Sequence, residues 1–219
     1  MIEGWRALFV GAHCDDVELF AGGLLARCCL RGAAAVGVLT FSDHRGVVSD
    51  ALAAQARAEM RANLEELAAR AGREIFDHSG EMMAACSGAL QARRAELYAA
   101  LEALREDYDL VVTHSVHDTN QDHRQVAEEV RRVFKAHATV LEGEFPNNDL
   151  GEFRATYYVE LSREELELKR ELIAAYSSQR FGGRPYFDAS LVEGLARMRG
   201  AQIRRRYAEA FQVGARVIV

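Results

Sequence analysis

The sequence predicts an α/β fold: a Rossmann-like, mostly parallel sheet with helices on both faces and a C-terminal α/β extension. Three observations predict it. Short apolar runs of β type alternate with helical patterns through the first two thirds of the chain. The helical patterns stop at glycines, at Gly32 and Gly72, where a C-cap belongs. Six of the seven histidines fall just after predicted strands, beyond whose carboxyl ends open parallel sheets bind ligands. With 219 residues, 49% hydrophobic and 27% charged, the chain reads as one domain over 1–219 with enough apolar material for a core.

The elements follow in order. "ALFV" (7–10) is the first strand and "LFAGGLLARCCLRG" (19–32) a helix. "AAVGVLTF" (34–41) is the second strand, and "SDALAAQARAEMRANLEELAARAG" (49–72) a long helix. A short strand (73–78) precedes a helix over 88–107; "YDLVVTH" (108–114) is the fourth strand, followed by a helix over 121–137 and the apolar run "ATVL" (138–141). In the last third, "ATYYVEL" (155–161) is a strand. A helix over 162–176 starts at Ser162 with Glu165 three residues on, a capping box. A loop with paired glycines (177–187) leads to a final helix over about 188–211 that carries "RRR" near its end.

The net charge of −6 argues against nucleic acid and anionic membrane surfaces as partners. No window approaches a membrane span, and the first residues lack the basic region and apolar stretch of a signal peptide. Four cysteines form no CxxC pair, and Cys28 and Cys29 read as small core fillers. A cytoplasmic, reduced protein is the expectation.

Two stretches carry chemistry. After the first strand, "VGAHCDD" (10–16) has no GxGxxG, and its paired carboxylates repel a pyrophosphate and attract a cation. His13 and Asp16 can meet one metal in a tight turn. Asp15 between them can face an open coordination position and accept a proton from water. The plainer alternative is that Asp15 and Asp16 cap the following helix. After the fourth strand, "HSVHDTNQDHRQV" (114–126) holds three histidines and two aspartates within ten residues. His123 offers a third ligand, with Asp122 to orient imidazoles. Asn120 or Asp122 can also act as caps. Two histidines and one carboxylate with open positions describe a catalytic metal site; zinc is the first choice, and iron(II) suits the same donors. Cys14 reads as an inward-packed side chain.

"GAHCDDVELFAGG" resembles the AHPDDxExxxGG signature of the LmbE-like, or PIG-L, de-N-acetylases. "HDTNQDHRQV" resembles that family's second motif, and "YSSQ" (176–179) and "RRRYAEAF" (204–211) are similar to its C-terminal features. The resemblance implies a zinc hydrolase that removes acetyl from an N-acetyl amino sugar or its conjugate, and a homo-oligomer. It implies His13, Asp16 and His123 as ligands, Asp15 as general base and Asp122 behind the ligands. Two positions depart from the pattern. Cys14 replaces a proline that would stiffen the turn. Asn120 stands where many members have a histidine serving as acid or oxyanion partner; Asn120, His117 and His114 are the candidates for that role. Glu18 matches an acidic position of the first motif. Arg45, Arg57 and Arg61 are candidates for substrate phosphate or hydroxyls. Phe181, Arg184 and Tyr186 are candidates for a lid.

Overall fold

The computed structural model describes residues 4–80, 84–180 and 184–216. Its strands are β1 (Arg6–His13), β2 (Ala35–Ser42), β3 (Phe76–Asp77), β4 (Leu110–His114), β5 (Thr139–Gly143), β6 (Tyr157–Glu160) and β7 (Ala208–Ala215). They form one sheet in the order β3-β2-β1-β4-β5-β7-β6. The first five run parallel; β7 is antiparallel to β5, and β6 antiparallel to β7. The helices are α1 (Asp16–Leu30), α2 (Asp50–Ala71), α3 (Arg94–Glu102), α4 (Gln121–Phe134), α5 (Arg163–Ala175) and α6 (Ala189–Gln202).

Alternation along the strands splits the core in two. Ala7 and Phe9 of β1, with Val36 and Val38 of β2, pack toward α1, α2 and α5. Leu8 and Val10, with Leu39 and Phe41, pack toward α3 and α4. β1 is buried along nearly its whole length because both faces are covered, which is why it reads as a continuous apolar run. No helix among the described residues is long and apolar enough to cross a membrane.

Most elements lie near their expected places, and α5 carries the capping box between Ser162 and Glu165. The end of the chain differs. The expected helix over 188–211 stops at Gln202, and 208–215 is strand β7 between β5 and β6. The turn is made at "RRR": Arg204 takes a left-handed φ of 58°. A Cβ on Gly200 would stand 2.7 Å from the Tyr207 nitrogen, so the chain doubles back against this glycine. The stretch is rich in alanine, glutamate and arginine and therefore reads as helix. Its place between two strands overrides that propensity.

β7 also brings Glu209 under α1. Helical geometry breaks at Ala21 (φ −144°). The Glu209 carboxylate accepts N–H groups from Gly23 at 2.8 Å and Leu24 at 2.7 Å, capping the second half of the helix.

Candidate metal centre

From β1 the sheet grows one way through β2 and β3, and the other way through β4 and β5. α1 covers one face beside this reversal and α4 the other. A crevice therefore opens at the carboxyl ends of β1 and β4, the place where parallel sheets hold ligands. His13 ends β1, His114 ends β4, Asp16 opens α1, and His123 lies in the first turn of α4. Asp15 occupies the N-cap position of α1 but makes no cap hydrogen bond with its side chain. Asp16 closes the turn instead: its Oδ2 accepts the His13 backbone N–H at 2.6 Å.

His13, Asp16 and His123 converge, all of them buried. His13 Nδ1 lies 3.2 Å from His123 Nε2 and 3.3 Å from Asp16 Oδ2, and His123 Nε2 lies 3.4 Å from Asp16 Oδ1. Ligands bound to zinc at about 2.0–2.1 Å in a tetrahedron stand about 3.3 Å apart, so the spacing fits that ion. The outer nitrogens are tied down. His13 Nε2 faces Asp122 Oδ2 at 3.3 Å and Ser87 Oγ at 2.9 Å, and His123 Nδ1 faces Asp118 Oδ2 at 2.8 Å. Carboxylates only accept, so these outer nitrogens carry the protons. The inner nitrogens turn toward each other and toward Asp16, and are the atoms a bound cation would use in place of a proton. The donor set suits zinc, and iron(II) as well.

The electrostatics point the same way. Burial alone would raise Asp16, but His123, His114 and His13 around it hold its carboxyl well below the usual range. Burial would lower both ligand histidines, yet Asp16 and the outer carboxylates lift His13 to about 9 and His123 to about 10. Negative charge in excess of the imidazoles' neutral state is thus built into the crevice. Asp122 is also held low: burial opposes ionisation, and His13 and the N–H groups of Gly88 and Leu90 outweigh it.

The remaining candidates separate. Asp122 is linked to His13, not to the neighbouring His123; Asp118 holds that imidazole. Asn120 is the N-cap of α4, its Oδ1 accepting the Asp122 N–H at 2.9 Å. His117 is exposed and pairs with Glu152 at 3.3 Å, away from the cluster. His114 is fully buried at the cluster: its Nε2 lies 3.1 Å from Asp16 Oδ2 and accepts the Ala12 N–H at 3.0 Å, and its ring stacks on His123 at 3.9 Å. Of the three residues weighed for the acid or oxyanion role, it alone touches the ligands.

Cys14 is buried with its Sγ 3.6 Å from the Ser42 carbonyl, and burial and nearby carboxylates push its thiol well above the usual value. It is a packed thiol, not a thiolate ligand. Glu18 lies behind the turn, bonded to Tyr176 and Asn63, and burial raises it to about 7. Arg45 and Arg57 both pair with Asp43, while Arg61 stands 3.8 Å from Asp77. Arg184 donates to Gln179, and its guanidinium lies over the Tyr186 ring at 5.9 Å. Tyr186 packs edge-on against Phe145, whose ring borders His123 at 5.2 Å. Phe181 lies outside the described residues.

Two neighbours of the cluster had no assigned role from sequence. Asp118 is an aspartate within the second histidine-rich stretch, five residues before His123. His44 follows β2, and its Nε2 lies 3.0 Å from Asp15 Oδ1. Their position after parallel strands was the available signal.

The fold and the cluster together define a Rossmann-like protein with a metal-type site of two histidines and an aspartate. The chain belongs to the PIG-L, or GlcNAc-PI de-N-acetylase, family, whose model matches residues 8–134 and so takes in both halves of the site. No curated protein sequence matches. Solved structures share the fold. An N,N'-diacetylchitobiose deacetylase from Pyrococcus horikoshii, bound to an inhibitor, aligns with a TM-score of 0.72 at 18% identity, over 95% of this chain and 83% of its own. The zinc-inhibited form of the teicoplanin deacetylase Orf2 aligns at 0.69 with 17% identity, over 95% and 97% of the two chains. GalB, the 4-carboxy-2-hydroxymuconate hydratase from Pseudomonas putida, aligns at 0.65 with 21% identity, over 98% of each.

Proposed function

We propose that the protein is a zinc-dependent hydrolase that removes acetyl from an N-acetyl amino sugar or a conjugate of one. The observation that carries this reading is the convergence of His13 Nδ1, Asp16 and His123 Nε2, each imidazole backed by its own carboxylate, in a chain of a de-N-acetylase family. His13, Asp16 and His123 would hold the ion. When bound there, zinc polarises the amide carbonyl and makes water a better acid. Asp15, buried beside the ligands, takes the proton of the attacking water at its carboxylate and returns it to the departing amine. Water and amide are consumed, and acetate and a free amine are formed. Asp122 and Asp118 keep the ligand imidazoles in the tautomers that leave Nδ1 and Nε2 open. His114, packed against Asp16 and His123, would help to hold those two ligands in place.

A second reading keeps the site and changes the reaction, since GalB shares the fold and its name specifies water addition. Acetate release decides between them. Zinc-loaded protein is expected to release acetate and expose a free amine on N,N'-diacetylchitobiose or another N-acetylglucosamine conjugate. Asp15→Ala is expected to lower kcat by roughly 10²–10⁴-fold while zinc content stays at wild-type level. Equal turnover in wild type and variant would sink Asp15 as the base. Turnover without metal, or with iron(II) alone, would sink zinc.

A further inference from the structure

We propose that His44 is the positioning residue of Asp15, holding the carboxylate by one oxygen so that the other is aimed at the reacting water; this rests on the reading of Asp15 as general base. The imidazole Nε2 lies 3.0 Å from Asp15 Oδ1. Asp15 is 3% exposed and His44 8%, so this hydrogen bond is made out of water, where it holds more strongly than on a surface. Among the described residues no other side chain bonds the Asp15 carboxylate, and its Oδ2 is left to face a partner supplied from outside. A carboxylate turns easily about its last torsion. One fixed oxygen therefore sets the direction of the other.

The backbone places His44 for this task. Its φ is 68°, left-handed and uncommon for a residue with a Cβ. Such conformations persist where surrounding contacts over-determine them, and they concentrate at functional sites. Here the contacts are explicit. The His44 N–H donates to Ser42 Oγ, and the His44 carbonyl accepts N–H groups from Val47 at 3.1 Å and Val48 at 3.2 Å. The preceding Asp43 is clamped by Arg45 and Arg57. The ring then lies flat against His13, with centroids 4.7 Å apart and 10° between planes. A side chain that only filled space would not need both a strained backbone and a directed bond to the carboxylate assigned as the base.

The test uses zinc-loaded protein with N,N'-diacetylchitobiose, and imidazole ¹⁵N NMR, which needs no substrate. His44→Gly removes the ring and relieves the left-handed strain, so the variant is expected to fold. Its kcat is expected to fall roughly 10–100-fold. KM should stay within about twofold, since the residue acts on Asp15 and not on substrate. Added imidazole, or His44→Gln with its donor at similar reach, is expected to restore most of the loss. Cobalt(II)-loaded wild type and His44→Gly should give the same absorption spectrum. In wild type the NMR should show a proton on His44 Nε2 that is lost from slow exchange in Asp15→Ala. Unchanged kcat in His44→Gly with an inactive Asp15→Ala would overturn the role of His44 and leave the base in place. A proton confined to Nδ1, no recovery with imidazole and glutamine alike, or a changed cobalt spectrum would overturn it too, the last by showing that His44 works through His13. If Asp15→Ala keeps wild-type turnover, the base assignment falls and this inference with it.

Discussion

Buried charge is used in two opposite ways in this molecule. In the C-terminal extension it is closed on itself. Lys169 meets Glu209 at 2.7 Å, Arg27 meets Glu165 at 2.8 Å, and Arg199 pairs with Glu144. Glu165 also holds the start of α5, and Glu209 the break in α1. Each of these charges has its partner in the chain. At the ends of β1 and β4 the pattern is the reverse. Asp118 and Asp122 are satisfied, but what they achieve is to leave His13 Nδ1 and His123 Nε2 facing Asp16 and each other. Burial and ion pairing alone therefore do not mark a site. A site is marked by donor atoms of different residues that converge on one point while their outer sides are held by further partners.

The contrast is testable by substitutions that should act on one region and spare the other. The largest effect is expected from Asp16→Ala, which removes the charge common to both imidazoles. Zinc affinity should fall by more than the roughly 10–100-fold typical of residues behind the ligands. Unfolding of the metal-free protein in urea should show only the smaller loss that follows from the buried His13 N–H and the imidazoles losing this partner. Wild-type zinc affinity in the variant, measured by competition with a chelator, would break the comparison on this side. Because the ligands must be unprotonated, wild-type zinc affinity should also decline as pH is lowered.

Glu165→Gln should do the converse. Its carboxylate is buried against Arg27 and Arg31. Loss of the pair should cost about 2–3 kcal/mol of folding free energy, below the roughly 3–5 kcal/mol of a fully buried pair because the arginines reach solvent. Zinc affinity should not move. The pH dependence has a definite sign. Burial would raise Glu165, but Arg27 and the Ser162 N–H outweigh it, so the folded value is lowered. Its stabilising contribution is complete above the ordinary carboxylate pKa and is lost as pH falls through the folded value. Urea midpoints of wild type and variant should therefore converge in acid. A constant gap between them at every pH would assign the loss to packing instead.

The smallest effect is expected from His117→Ala. His117 shares the histidine-rich stretch with two buried histidines but sits outside the cluster, beside Glu152. kcat should stay within about twofold of wild type, as exposed ion pairs contribute little. A larger loss would place His117 in the reaction and redraw the boundary of the site.

Much of this was legible in the chain. The alternation of apolar runs and helices reads out the parallel strands, because β1, β2, β4 and β5 are covered on both faces and are largely apolar, while the exposed edge strand β3 is only two residues long. "VGAHCDD" and "NQDHR" read out the three convergent donors, because a metal needs particular donor atoms at tight local spacing. β7 was not legible. Its alanines and glutamate favour helix in isolation, and only the places open between β5 and β6 make it a strand.

The same division runs through the site. Sequence by itself determined the residue types that can bind a cation and the turn that carries them, since these are local matters of donor chemistry and chain direction. Tertiary structure alone decided the pairing. Asp122 serves His13, 109 residues away, and Asp118 serves His123. His44 reaches Asp15 from another strand, His114 stands against the ligands, and His117 does not. Those assignments depend on which strand ends lie side by side in the sheet. Strand order is set by burial of whole faces, and no spacing within a short motif encodes it.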